Sequence, residues 1–230
     1  MFLDDRQKKL LINKKDSVIL DLSKSLREVD VFWQNINLNY LSTGTWHHTF
    51  VLNTYVSYVM SKLIQTISMS LNISESKLVA TYFYRFRDEN WVAITSDGEN
   101  KGLSATTLSN SPESVFSQIL NGKEIIFYQS KERAYNEGKY IKDKRDHFQE
   151  LVKAPLGSIF GTYLNISIPL GTETEYEAVF AVASYGEYLC ADGQYDIISL
   201  LSEVILKDFA QKCQNAAYEI LIDKSSPIKS

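Results

Sequence analysis

The sequence predicts an α+β fold in which one antiparallel sheet of about five to six strands carries helices on one face. Two apolar runs at residues 161–170 and 176–185 are joined by a short polar segment, which is typical of a β-hairpin. Stretches with apolar residues every three or four positions stand near both ends of the chain, and the strand-like segments are grouped between them. The N- and C-terminal helices should therefore flank one face of the sheet, with a helical extension at the N-terminus.

The first strand of this hairpin alternates between aliphatic and polar side chains, which predicts a sheet with two different faces. The aliphatic set that points one way is Leu164, Ile166 and Ile168. The opposite set is Tyr163, Asn165 and Ser167. The polar segment 171–175 supplies the reversal. One face can bury aliphatic groups against helices, whereas the other suits a shallow cavity.

Composition excludes several classes of protein. The chain has 230 residues, 44% hydrophobic and 23% charged, with a net charge of −4, which argues against a dedicated nucleic-acid binder. No apolar run reaches the ~20 residues of a membrane span, and the N-terminus lacks the features of a secretory signal. Cys190 and Cys213 are far apart and fit free thiols of a reducing compartment. We therefore expect a cytoplasmic protein with no nucleic-acid partner.

The N-terminal segment, residues 1–44, is predicted to be an amphipathic helix with a heptad seam from Ile19 onward. The seam positions are Ile19, Leu22, Leu26, Val29, Trp33, Ile36 and Tyr40. The same stripe fits a helix that covers its own domain and a coiled coil that makes a homodimer, so the sequence leaves both open. Binding to a membrane surface is a third alternative.

Residues 45–223 are predicted to form the main domain and residues 224–230 a flexible tail. Gly44 is expected to be a hinge and Thr45 to cap the next helix. The further elements follow in chain order. They are a helix at 46–71, strands at 78–87 and 91–95, a loop at 96–110, a short helix capped by Ser111, a strand at 124–129, a charged lid at 131–153 with one or two short helices, the central hairpin, and a last helix at 195–221.

This order of elements resembles the GAF domain over about residues 46–221. The most specific part is GSIFGTYLNISIPLG, then YEAVFAVASY, then the acidic loop at Asp192 that leads into DIISLLSEVILKDFAQ. The resemblance implies that the terminal helices cover one face of the sheet and that the other face and the lid enclose a small-molecule cavity. A PAS-like or related sensor domain is the alternative.

The sequence departs from the ligand-specific patterns of this family. Tetrapyrrole-binding members carry a Cys-His pair near the lid, whereas here His147 follows Asp146 and neither cysteine is nearby. The Asn-Lys-Phe-Asp-Glu signature of cyclic-nucleotide binders and the cysteines of the methionine sulfoxide reductase branch are also missing. The ligand, and any cofactor, therefore stays unidentified.

The predicted ligand-binding residues combine aromatic, polar and cationic side chains. They are Phe83, Arg85, Phe116, Phe127, Arg133, Tyr140, Tyr163, Asn165 and Ser167. Arg85 shares a strand face with Phe83 and could hold a carboxylate or phosphate through its planar fork. The alternative for Arg85 is a salt bridge within the protein. The alternative for Tyr163, Asn165 and Ser167 is a sheet surface that faces solvent. Because acids alternate with the lid cations, a solvated surface is the alternative for Arg133 and its neighbours.

No catalytic constellation is visible. His47 and His48 are adjacent, so on a helix they point about 100° apart and cannot share a metal ion. Cys213 lies on the apolar stripe of the last helix. The sequence therefore predicts a non-enzymatic sensing or signal-relay domain that passes ligand state through its helices to a partner or output region. A ligand-free dimerisation scaffold is the main alternative, and an unrecognised enzyme is a further one.

Overall fold

A computed structural model describes residues 5–43, 48–87, 89–98, 104–167, 174–191 and 193–225. The helices are α1 Asp5–Thr43, α2 His48–Leu71, α3 Ala105–Ser109, α4 Val115–Leu120, α5 Lys131–Asn136, α6 Lys144–Leu151, α7 Tyr195–Ser199 and α8 Lys207–Ser225. The strands are β1 Leu78–Phe86, β2 Val92–Thr95, β3 Ile125–Tyr128, β4 Ile159–Ser167 and β5 Thr174–Ser184. A π-helical segment, Leu200–Leu206, joins α7 to α8. The predicted α+β class is confirmed.

The five strands form one sheet in the order β2-β1-β5-β4-β3, with every neighbouring pair antiparallel. Both predicted hairpin pairings, β1 with β2 and β4 with β5, are present. The reversal between β4 and β5, including Ile168 and residues 171–173, lies outside the described residues. So do Gly44, Thr45 and Asp192.

One face of the sheet, which we call the inner face, packs against α2 and α8, and α1 packs against these two helices. Tyr82, Tyr176, Phe160 and Phe180 are fully buried there among aliphatic side chains of the helices. The hydroxyl groups of Tyr82 and Tyr176 hydrogen-bond each other at 2.5 Å, so neither buried oxygen lacks a partner. Leu164 is buried on the same face, as the alternation in β4 predicts.

Helix α1 packs along α2 in the same chain. The ring of Phe32 stacks on Tyr58 with centroids 4.0 Å apart, and Thr66 Oγ1 donates to Ser25 Oγ at 3.0 Å, so the two helices are antiparallel. At the boundary with α8, Trp33 Nε1 donates to Glu219 at 2.7 Å. This part of the stripe therefore covers its own domain, which is the first of the two alternatives for residues 1–44. A homodimer through the helices stays a prediction.

The seam of α1 begins one residue earlier than the heptad pattern predicts. Val18 is buried, whereas the side chain of Ile19 is 53% exposed. Both residues lie within one helical turn of the buried Leu22, at spacings of four and three, so the sequence fits either choice. Packing against the rest of the core selects Val18.

Two predictions about the region before β3 are wrong. Residues 105–109 form α3 rather than loop, because Ser104 caps it by accepting a hydrogen bond from Thr107 N at 3.1 Å. Helix α4 is capped by Ser114, whose Oγ accepts from Ser117 N at 2.9 Å. Ser111 instead donates to the Thr107 carbonyl at 2.9 Å, so its hydroxyl group serves the end of α3.

Leu164 and Asn165 are neighbours in β4 that face opposite ways, which makes them a matched test of the two-faced sheet. We expect Leu164→Ala to lower the free energy of unfolding by about 2–5 kcal/mol because it leaves a hole in the inner-face core. Asn165→Ala at an exposed position should change it by less than about 0.5 kcal/mol. Chemical denaturation measures the free energy of unfolding of both variants. Equal decreases in that free energy would contradict the assignment of the two faces.

Candidate functional site

The outer face of the sheet is divided into two halves along β1 and β5. At one end, Val79, Thr81 and Phe83 of β1 lie opposite the small or apolar residues Ala183, Ala181 and Val179 of β5. Farther along the same face, Arg85 lies opposite Glu177. We call the first part the apolar half and the second the charged half.

The apolar half is covered by α4 and its neighbours. The ring of Phe116 contacts Phe83 and Trp91 edge-on, with centroid distances of 5.1 and 5.0 Å. Gly161 of β4 allows this close approach, because a Cβ atom there would stand only 3.0 Å from Ile119 Cδ1. The result is a second hydrophobic cluster on the opposite side of the sheet from the helical core.

A cavity of about 100 Å³ lies between the apolar half and its cover. Apolar side chains from β1, β5 and α4 make most of its wall, among them Val79, Phe83, Phe116, Val179 and Ala181. Its polar side carries Tyr140, Asp143, Arg145 and Tyr185. A site with apolar walls and a few convergent polar groups is the usual form of a small-molecule site.

The lid, residues 131–153, is held by a fully buried ion pair between α5 and α6. Lys131 Nζ lies 2.7 Å from Asp146 Oδ1, and neither side chain is exposed. Asp146 Oδ2 accepts hydrogen bonds from the Tyr140 hydroxyl at 2.6 Å and from Asp143 N at 3.0 Å. The ammonium group also lies 3.6 Å from the ring centroid of Tyr185. Three residues of the cavity wall therefore contact the pair directly.

Burial sets the electrostatics of this cluster. Desolvation lowers the pKa of Lys131 and raises the pKa of Asp146, while the attraction between the two groups opposes each shift. Burial also raises the pKa of Tyr140 and of Tyr185 well above the ordinary value, so both hydroxyl groups are neutral donors at physiological pH. The Tyr185 hydroxyl donates to Asp143 Oδ2 at 2.8 Å.

Helix α6 begins at a capping pattern that is present in the sequence and absent from the predictions above. Asp143 Oδ1 accepts hydrogen bonds from the amide nitrogens of Arg145 and Asp146, and the Asp146 carboxylate bonds back to Asp143 N. Such a reciprocal box is a recognisable signal for a helix start. It would have located α6, although it does not reveal that Asp146 is buried against Lys131.

In the charged half, Arg85 makes the ion pair that was the alternative to a ligand contact. Its guanidinium group bonds the Glu177 carboxylate and lies 4.8 Å from the ring centroid of Trp91. The hydroxyl group of Tyr163 donates to Glu177 Oε2 at 3.1 Å, and burial is the main cause that raises the pKa of Tyr163 to about 12. Arg85 and Tyr163 thus contact the same carboxylate, outside the cavity wall.

The structure brings together only part of the predicted ligand-binding set. Phe83, Phe116 and Tyr140 line the cavity. Asn165 is exposed in the charged half and Arg133 is exposed on α5, while the side chain of Ser167 lies outside the described residues. Asp143, Arg145 and Tyr185 are cavity residues that the prediction did not include.

Phe127 lies on the inner face, away from the cavity. It pairs with Phe160 of β4, and the centroids of the two rings are 5.9 Å apart. In β3 both Ile126 and Phe127 are apolar, so alternation does not reveal which of them points outward. The pairing with β4 decides it, and Ile126 joins the outer cluster instead.

Comparison of the chain with protein-family models, curated proteins and solved structures found no match. Within the part of the chain that the structure describes, no helix is long and apolar enough to cross a membrane. The same residues contain no group of three or more metal-ligating side chains that could hold a metal ion. Functional inference therefore depends on the cavity and its lid.

The Lys131–Asp146 pair should be costly to break from one side only. We expect Lys131→Met or Asp146→Asn to lower the free energy of unfolding by about 3–5 kcal/mol, because each leaves an imperfectly compensated buried group. The double variant Lys131→Met/Asp146→Asn should lose less than the sum of the two single losses, because no unpaired charge is left and an amide oxygen still accepts from the Tyr140 hydroxyl. Chemical denaturation of the three variants measures the coupling.

Lys139→Met is the matched control, since Lys139 pairs with Glu137 on the surface. Its unfolding midpoint should equal that of the wild type. Additive losses in the double variant would show that the two buried groups do not depend on each other.

Proposed function

We propose that this protein is a non-enzymatic, GAF-like sensing domain that binds a small molecule between the apolar half of the sheet and the 131–153 lid. The cavity of about 100 Å³, with apolar walls and one polar side, is the observation that carries this proposal. The lid adds a second argument, because its buried ion pair is built from groups that contact the cavity wall. A ligand that moves Tyr140 or Tyr185 therefore acts on the lid directly.

The cavity volume limits what binds without rearrangement. An engineered apolar cavity of ~150 Å³ holds benzene, so about 100 Å³ has room for an apolar group of roughly four carbon atoms. A larger ligand either extends out of the mouth of the cavity or requires the lid to move outward. The ligand is therefore a small metabolite, or a larger one of which a short apolar part is enclosed.

The same strands connect the cavity to the helices. Phe83 lies in the cavity wall, while its neighbour Tyr84 points to the inner face and donates a hydrogen bond to Asn53 of α2 at 2.6 Å. In β5, Val179 lines the cavity and Phe180 packs in the helical core. A shift of either strand therefore moves a side chain in the cavity wall and, one residue further along, a side chain that contacts the helices. A signal also requires the ligand to prefer one of two states.

A ligand-free dimerisation scaffold is the second candidate, and one observation favours it. The aromatic side chains Phe83, Trp91 and Phe116 already fill much of the outer face. In that case the fold serves to bring two copies of the chain together, in line with the predicted homodimer through the helices. Native mass spectrometry of the purified protein separates the two candidates. A bound small molecule supports sensing, whereas a bare dimer supports the scaffold.

Filling the cavity should abolish ligand binding without unfolding the protein. Ala181 contributes to the cavity wall, so Ala181→Leu places three added carbon atoms in the space for the ligand. We expect thermal-shift screening of nucleotides, amino acids and other small metabolites to find a compound that raises the Tm of the wild type, since a ligand at 100 times its Kd contributes about 2.7 kcal/mol. The Ala181→Leu variant should lose that shift.

Ala191→Leu, in an exposed loop, is the matched control and should keep the full thermal shift. If Ala181→Leu retains the shift, the compound binds elsewhere and the proposed site is wrong.

A further inference from the structure

The cavity shares a wall with a larger groove of about 760 Å³. The groove runs between the α2 side of the sheet, where Ile64 lies, and α6, where Lys144 and Phe148 lie. Val79, Arg145 and Tyr185 border both spaces. Of the three residues that border both spaces, Arg145 carries the positive charge. A charged ligand group at the boundary between the groove and the cavity would therefore contact Arg145.

Two carboxylates of the described residues form ion pairs with Arg145, and they differ in how firmly they are held. Asp143 is fixed by the cap of α6 and by the Tyr185 hydroxyl, and its Oδ2 is 3.9 Å from Arg145 Nη1. Asp97 bonds Arg145 Nη2 from the turn that follows β2, and its side chain is 32% exposed. Asp97 is the more exposed of the two carboxylates, and a partly exposed ion pair contributes less net stability than a buried one. Asp97 is therefore the partner that a ligand can replace.

We infer that the ligand is a small carboxylate with an apolar tail of about four carbon atoms, whose carboxylate takes the place of Asp97 on Arg145 while the tail enters the cavity. This inference rests on the proposed function and names its ligand class. The planar guanidinium fork matches a carboxylate in geometry and charge. The tail length follows from the cavity volume of about 100 Å³.

Contact with Arg145 favours a carboxylate over an amine. Among the described residues, the charged groups near the shared wall include the cations Lys131 and Arg145 and the carboxylates Asp97, Asp143 and Asp146. Exchanging Asp97 for a ligand carboxylate leaves the charge in contact with the Arg145 guanidinium group unchanged. An ammonium ligand would lie beside Arg145, and Lys131 and Arg145 already lie 3.6 and 5.6 Å from the Tyr185 ring centroid. The exchange also releases Asp97 from α6, which supplies the second state that a sensor needs.

Pentanoate is a suitable probe, and pentanamide is its neutral counterpart of nearly the same shape. Calorimetric or NMR titration of the full chain should give at least tenfold tighter binding of pentanoate than of pentanamide. Arg145→Gln should remove this preference, and Arg145→Lys should restore part of it by keeping the charge without the fork. Circular dichroism and Tm report whether each variant is folded. A preference for pentanoate that survives in folded Arg145→Gln would overturn the inference.

Neutralising the competing carboxylate provides a second, opposite test. Asp97→Asn should tighten pentanoate binding at least threefold and leave pentanamide unchanged, because the internal competitor for Arg145 has lost its charge. Glu75→Gln removes another carboxylate of the groove wall and serves as the matched control, with an expected change below twofold. Unchanged or weaker binding of pentanoate to Asp97→Asn contradicts the exchange.

The outcome for neutral probes separates this inference from the proposed function. If pentanoate and pentanamide bind equally and Ala181→Leu blocks both, the carboxylate inference is wrong and the cavity is still a binding site. If neither probe binds and the purified protein carries no small molecule, both proposals are wrong.

Discussion

The antiparallel register of β1 and β5 is the constraint on which the other features depend. Successive side chains of a strand point to opposite faces, so a shift of one residue would exchange the two faces. The register places Tyr82 opposite Phe180 on the inner face and Phe83 opposite Val179 on the outer face. The hydrogen bond between Tyr82 and Tyr176 satisfies two buried hydroxyl groups only in this arrangement. The register of β1 and β5 therefore determines both where the cavity lies and which side chains contact the helices.

The division of the outer face explains why a cavity forms at one end only. In the charged half, Arg85 and Glu177 neutralise each other, so this surface needs no cover. The apolar half has to be shielded from water, and α4 and the lid provide the shield. The buried Lys131–Asp146 pair holds that lid at the cost of desolvating two charges. Because Asp146 also accepts from the Tyr140 hydroxyl and Lys131 lies over the ring of Tyr185, we interpret the pair as a contact that fixes the position of the lid and couples it to both tyrosines.

Alternation and helical spacing predicted the strands, their pairing and the burial of Leu164, because these patterns follow from local geometry. Three features depended on contacts that are distant in sequence. The side of β3 was ambiguous because Ile126 and Phe127 are both apolar, and the start of the α1 seam was ambiguous because Val18 and Ile19 both lie one turn from Leu22. Lys131 and Arg145 stand in a stretch with many charged residues, and only the folded chain pairs Lys131 with Asp146 and Arg145 with Asp97. Strand alternation placed most of the predicted ligand-binding residues on the outer face, where the cavity lies, but Arg85, Tyr163 and Asn165 stand outside its wall.

A crystal structure of the protein under xenon pressure tests most directly whether the outer face encloses a real space, because xenon enters dry apolar cavities without a polar contact. We expect a xenon atom between Phe116 of α4 and Val179 of β5, with the lid closed over it. Absence of xenon there, with the side chains of α4 collapsed onto the sheet, would contradict a preformed site.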